Sequence, residues 1–218
     1  MSLELVKFDR AGLMQYVARQ IKSVVPDDFD PIPDIDAHLD MALSRLHVCI
    51  NAVKLWPVDR FDPLHSSQHC TFLYFLSHTI WKQTARKDTP LRLFLLNKAL
   101  NAIDCFYEIE LPEVFFIGHS VGSVLAKATY GNHLVLYQNS TVGKNHGEAP
   151  VLKPGVVLYA NTAVIGRSVL RTGTIVSQGV SVINQITEAN HMVFAGNHGR
   201  LSFKPTSRNI LGDFFRDC

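Results

Sequence analysis

An α+β architecture, helices first and a parallel β-helix of hexapeptide repeats second, follows from three features of the chain. From residue 152 to residue 187 an aliphatic residue returns every six positions, at Leu152, Leu158, Val164, Leu170, Val176 and Val182. Four residues after each stands a small or β-branched residue, at Val156, Thr162, Ser168, Thr174, Val180 and Ile186. The N-terminal half carries helical spacing instead, with no trace of that beat. A helix repeats every 3.6 residues and a strand every two, so neither produces a beat of six. A triangular coil does, because each side is one short strand plus a bend and each anchor points inward. A β-sandwich with accidental spacing would not hold phase over successive repeats.

The beat continues upstream at Val124, Tyr130, Leu136 and Val142, with Ala128, Leu134 and Ser140 four residues after the first three, and a seven-residue step links Ile117 to Val124. Gly143 to Val151 breaks the phase. A polar stretch with Gly and Pro between two in-phase runs reads as a loop pushed out of the coil.

The helices come first in the chain. Leu13, Val17, Ile21 and Val24 are helically spaced behind Asp9, a good N-cap. After an Asp- and Pro-rich break, Asp34 opens a helix with Leu39, Leu43, Leu46, Ile50 and Val53 on one face. A third runs from about Ser66 to Arg86 with Phe72, Phe75, Leu76 and Ile80. Asp88-Thr89-Pro90 reads as a cap with Pro at the first position of a fourth, carrying Leu95, Leu96, Ala99 and Ile103. The expected division is a helical domain over 1-107, a β-helix over 108-202 with an extruded loop at 143-151, and a tail over 203-218 that ends in a short helix near Ile210 to Phe215.

Composition narrows the function classes. The chain has 218 residues, 47% hydrophobic and 18% charged, enough for a sizeable core. A net charge of +2 gives no electrostatic case for nucleic acid or an anionic membrane surface. Cys49, Cys70, Cys105 and Cys218 lie far apart with no CxxC spacing, which argues against a zinc site or a disulfide scaffold and for reduced thiols in a cytoplasmic protein. No apolar run approaches membrane-spanning length. His69 and His78 lie nine apart on one predicted helix and point in different directions, so they read as packing histidines, and no metal is expected.

The layout resembles the serine O-acetyltransferases among the hexapeptide acyltransferases, over residues 34 to 200. His69-x4-Tyr74-x3-His78-x2-Trp81 is similar to the family's HALQAYRIAHWLW helix, and Ile117-Gly118-His119-Ser120-Val121-Gly122 to its L-D-H-A-T-G turn. Leu136 to Gly143 resembles I-L-Q-S-V-T-L-G-G, and Pro154 to Ala160 resembles E-G-V-M-I-G-A. The resemblance implies a left-handed coil, an exception to the usual right-handed crossover. It also implies acetyl-CoA as co-substrate and a homotrimer, with a dimer of trimers as the larger assembly.

Acetyl transfer from a thioester to a hydroxyl requires a base for the attacking hydroxyl, donors for the oxyanion, and alignment of the two substrates. No Gly-x-Ser-x-Gly elbow or Cys/His pair points to a covalent intermediate, so direct attack is expected. His119 matches the family's catalytic histidine, two residues beyond an inward anchor, and a neutral imidazole suits the base role. The family's orienting aspartate falls in the stretch Tyr107 to Pro112, where Glu108 is the choice and Glu110 its competitor. The resemblance places the pantetheine arm against Gly143, Ala160 and Gln178. It places the nucleotide end near Phe194 to Asn197, including Gly196, with Lys144, Arg167, Arg171, Arg200 and Lys204 for phosphates. His146 stands in the loop that the family folds over its active site.

Two departures concern the acceptor. The family's Asp before the catalytic His is here Gly118, and its Arg-His-Pro in the extruded loop is here Glu148-Ala149-Pro150. A site lacking both partners for a zwitterion is expected to bind serine poorly, because an unpaired polar group costs free energy on burial. The expected acceptor is therefore a sugar or polysaccharide precursor. Serine itself, N-acetylation of an amino sugar, and a non-catalytic scaffold are the alternatives.

Overall fold

The computed structural model describes residues 3–216. Cys218, among the thiols read above as reduced, lies outside the described residues, and Cys49, Cys70 and Cys105 are buried. Two compact units emerge. One runs to Asn51 and resumes from Trp56 to Glu108; the other comprises Ala52–Leu55 and everything from Ile109 onward.

The first unit is built on four helices: α1 (Arg10–Val24), α2 (Ile32–Ala52), α3 (Ser66–Thr84) and α4 (Asp88–Asn101). Asp9 caps α1 as its spacing suggests, its side chain accepting from Gly12 N at 2.7 Å. The apolar stripe Leu13, Val17, Ile21 is fully buried. Every residue of α3 from Gln68 to Ile80 is buried, as befits a helix surrounded by its neighbours. Asn97 on α4 donates to Cys70 O on α3 at 3.0 Å, and Arg45 on α2 donates to Thr79 Oγ1 at 2.8 Å. Helix α4 departs from expectation at its start. Its N-cap is Lys87, without a side-chain cap, and Pro90 stands at the third position. Thr89 donates instead to Asp34 Oδ2 at 2.7 Å, and Arg86 to Asp34 Oδ1 at 2.6 Å, so tertiary contacts replace a local cap.

The second unit is a three-sided parallel coil. Face one stacks Phe115–Gly118, Leu134–Tyr137, Val157–Leu158, Ile175–Val176 and Met192–Val193 in parallel register. Face two stacks Val124–Leu125, Thr141–Gly143, Ala163–Ile165 and Ser181–Ile183. Face three stacks Thr129–Tyr130, Val151–Leu152 and Val169–Leu170. The anchors Leu136, Val142, Leu152, Leu158, Val164, Leu170, Val176 and Val182 are all fully buried. Small hydroxyls fill the corners: Ser140 Oγ lies 3.4 Å from Thr162 Oγ1, and Ser168 Oγ donates to Ile165 O at 2.8 Å. An aliphatic residue there would leave those buried carbonyls with fewer donors.

The beat is corrected at both ends. In the first coil the inward residue of face two is Leu125, not Val124; Val124 is 44% exposed and Leu125 pairs with Val142. At the other end Ile186 is 60% exposed, and Thr187 is buried in its place, its hydroxyl bonding Arg171 N and Thr174 Oγ1. The chain leaves the coil at 144–150, where Asn145 and Glu148 exchange backbone hydrogen bonds at 3.0 Å. After His191–Ala195 it turns back in an antiparallel strand, Leu201–Pro205, and a 3-10 turn at Leu211–Asp213 precedes the end. That end is tied to residues 52–55: Lys54 N donates to Phe214 O at 2.7 Å and Arg216 N to Ala52 O at 2.9 Å. No helix among the described residues is long and apolar enough to cross a membrane.

Candidate active site

Between face one and face two the coil turns its first corner. Five residues separate Gly118 from Val124, whereas three separate Tyr137 from Thr141 and Tyr159 from Ala163. The two extra residues of the first coil bulge outward, and His119 stands where the bulge leaves the sheet. It is exposed, with φ +58°, a left-handed conformation that costs a non-glycine residue about 1 kcal/mol or more. The bulge is fastened from below. Ser120 O accepts from Ser123 N at 3.1 Å, and Val121 O accepts from Asn139 N at 2.9 Å. Gly122 suits that place: its φ is +74°, and a Cβ would lie 2.0 Å from Asn139 Oδ1. The imidazole itself makes no hydrogen bond or ion pair with the described residues.

The other residues singled out by sequence are spread over this unit, Glu108 excepted. Ala160 and Gln178 occupy the same first corner as His119 in later coils, with Gly179 N donating to Ala160 O at 3.0 Å. Coils succeed one another at about 4.8 Å, so Ala160 lies roughly 10 Å and Gln178 roughly 14 Å along the corner from His119. Gly143 is at the second corner, where a Cβ would lie 2.8 Å from Ile165 Cδ1, and Lys144 is exposed at the mouth of the loop. Thus the structure groups Ala160 and Gln178 below His119, and sets Gly143 and Lys144 across face two. Glu108 closes the helical unit as a half-buried turn residue, and Glu110 is exposed.

Two cavities involve the sequence-derived residues. One, of about 760 Å³, lies in the hairpin after the last coil and includes Phe194, Gly196, Asn197, Arg200 and Lys204 in its lining. Lys204 Nζ sits 5.3 Å from the Phe194 ring centroid, and Gly196 N donates to Arg200 O at 2.8 Å. The other, of about 240 Å³, is formed by Asn145, His146, Glu148, Arg167 and Asn184 at the base of the extruded loop. No cluster of His, Cys, Asp or Glu able to hold a metal ion occurs among the described residues.

Sequence reasoning missed an aromatic column beside His119. Gly118 pairs in register with Tyr137, and the ring of Tyr137 stacks on that of Tyr159 at 5.6 Å between centroids. Phe116 meets Tyr137 edge-on at 6.4 Å, and Phe214 approaches both rings. A Cβ on Gly118 would lie 2.9 Å from Phe116 Cε1 and 3.2 Å from Tyr137 Cε1. The signal was present in the repeat, since Tyr137 and Tyr159 each directly follow a face-one anchor.

No family model matches the chain, and no curated protein sequence matches it. Solved structures do. The chain is similar to serine acetyltransferase from Brucella abortus strain S19, at 18% identity and a TM-score of 0.69, over 89% of this chain and 85% of that one. The fold is that of the serine acetyltransferases. A serine acetyltransferase in complex with CoA superposes with a TM-score of 0.71 at 17% identity, over 89% of this chain and 86% of that one. The Neisseria gonorrhoeae serine acetyltransferase in complex with serine does so at 0.64 and 16%, over 88% and 83%. The fold is thus the helices followed by a left-handed β-helix that the motif resemblance implies.

Proposed function

We propose that this protein is an acetyl-CoA-dependent O-acetyltransferase that passes the acetyl group directly to a hydroxyl of a small polar acceptor, a sugar or polysaccharide precursor. The observation that carries the reading is His119, raised on a two-residue bulge at the first corner of a serine acetyltransferase fold and left free to meet substrate. His119 is the general base: it takes the hydroxyl proton as the oxygen attacks the thioester carbonyl, then passes it to the sulfur as the C–S bond breaks and CoA leaves as the thiol. By the motif resemblance Glu108, with Glu110 in competition, is assigned as the carboxylate for orienting the imidazole. The residues present suit acetyl-CoA. Backbone at Gly143, Ala160 and Gln178 lines the arm, while Gly196, Lys144, Arg200 and Lys204 serve the nucleotide end, where the hairpin cavity supplies cations beside a ring. The assembly is a homotrimer, with a dimer of trimers joined through the helices as the alternative, and the compartment is the cytoplasm.

The acceptor assignment rests on what stands beside His119. Where an aspartate would hold an ammonium group there is Gly118, walled by Phe116 and Tyr137. The extruded loop offers Glu148 and half-buried Ala149 in place of a pair of bases. Serine is the second reading, favoured by the serine complex of the Neisseria gonorrhoeae structure. The test is release of thiol from acetyl-CoA with a panel of sugars, amino sugars and L-serine. His119→Asn keeps a residue that tolerates φ above zero. It is expected to lower the rate by about 10²–10⁴ with little change in thermal midpoint. Saturation by serine in the low-millimolar range, with sugars inert, would overturn the sugar assignment; a His119→Asn rate equal to the unmodified protein's would overturn the base.

A further inference from the structure

The step of face one next to His119 is built almost wholly of ring carbon. Phe116 and Phe214 are each about nine-tenths buried or more, at 6% exposure, whereas Tyr137 and Tyr159 are half-buried and offer surface. The two tyrosine rings lie 27° from parallel, one coil apart, so Tyr159 underpins Tyr137. Phe116 stands at 81° to Tyr137 and fixes its other side. Neither phenol hydroxyl bonds a described residue. Burial, and then the neighbouring Tyr159, push the Tyr137 hydroxyl upward, so it stays neutral and able to donate. Two buried polar atoms lack a hydrogen-bond partner among the described residues: Gln138 Oε1, on the residue after Tyr137, and Ser177 Oγ, on the residue in register with Tyr159.

We infer that Tyr137, underpinned by Tyr159, is the acceptor platform and that it selects a ring-shaped neutral sugar. This rests on the acetyl-transfer reading above. A sugar ring presents a face of C–H groups, whose weakly positive hydrogens suit the negative face of an aromatic ring, and a rim of hydroxyls. The tyrosine hydroxyls, and the Gln138 carbonyl once its side chain turns outward, suit that rim. Gly118 leaves room for no side chain of its own, so nothing charged precedes His119 to hold an ammonium group. A linear polyol has the same hydroxyls but no fixed face to lay on the ring, and it would lose more conformational freedom on binding.

The test compares acetyl transfer from acetyl-CoA to neutral monosaccharides, to linear polyols of the same carbon number, and to L-serine. Variants are Tyr137→Leu, Tyr137→Phe and Tyr159→Leu, with His119→Asn as the control for chemistry. A ring acceptor is expected to exceed its linear counterpart in kcat/KM by about tenfold or more, the value of one good aromatic contact. Tyr137→Leu is expected to raise the KM for the sugar by about tenfold with a much smaller change in kcat, and Tyr137→Phe to recover most of that loss. Equal use of ring and linear acceptors overturns the inference without needing any variant to fold. So does a sugar KM indifferent to Tyr137→Leu while thiol release still depends on His119. Absence of any His119-dependent thiol release, with every acceptor, sinks the acetyl-transfer reading as well.

Discussion

Acidification should destabilise the helical unit through the buried His69. His69 on α3 is 5% exposed, and its Nε2 donates to Gln20 Oε1 at 3.2 Å, with Tyr16 and Phe72 as ring neighbours. Burial pushes its imidazole down from the ordinary 6.5 to about 4. Between those values the unfolded chain binds a proton that the folded one does not. The stability contribution is therefore complete above the unfolded value and is lost as pH falls toward the folded one. At about 1.4 kcal/mol per unit, the loss reaches roughly 2.5 kcal/mol near pH 4.5, or about 5–10 °C in midpoint for a chain of this length. The perturbation is His69→Gln, whose amide still donates to Gln20 but does not titrate. Urea unfolding followed by tryptophan fluorescence reports this unit, since Trp56 and Trp81 both belong to it. The unmodified protein should lose stability relative to His69→Gln by that amount between about pH 7.5 and pH 4.5. Parallel pH curves for the two would refute the reasoning, because every other group cancels in the comparison.

Gly118→Asp should not create a serine site: its Cβ would lie 2.9 Å from a buried Phe116, so overpacking of about 1–3 kcal/mol is expected as a lowered melting temperature, with no gain in kcat/KM for serine. Adding Phe116→Leu should recover part of the stability loss, which thermal melts of the single and double variants would measure. Leu158→Ala removes a fully buried anchor from the middle of face one and should cost about 2–5 kcal/mol in denaturant unfolding, whereas Leu100→Ala, at a site 52% exposed on α4, should cost far less.

What the chain disclosed of itself depends on how local the encoding is. A six-residue beat states directly which side chains face inward, so Leu136 through Val182 could be read as a buried stripe. Asp9 could be read as a cap because a cap is three residues of chemistry. The first coil misled because two residues are inserted at the corner that carries His119, which moves the inward position from Val124 to Leu125. Nothing within a short window announces that shift. The aromatic column escaped for a related reason: neighbours in a coil are a full turn apart in sequence, so Tyr137 and Tyr159 meet only once the coil is wound. The return of Phe214 against Phe116 spans almost a hundred residues and has no local signature. Of the proposed site, His119 and its corner were legible through the motif, whereas the surface that would touch the acceptor was not.

A repeat fold sets a rule for every residue, inward or outward, small or large. Chemistry therefore tends to appear where the rule is broken, because an unbroken coil presents only its regular faces. This coil is broken at the His119 bulge, at the extruded loop 144–150, and at the turn after Ala195. Each break carries proposed functional residues: the base at the first, Lys144 at the second, Gly196 and the hairpin cavity at the third. The unbroken corner between them contributes backbone at Ala160 and Gln178. The tyrosines are the exception that sharpens the point. They obey the outward rule, yet they stand on the face whose neighbouring step, Gly118, has given up its side chain. A regular position next to an irregular one is thus where acceptor choice can change while the coil stays intact, which is why the tyrosine variants can alter KM without disturbing the interior anchors.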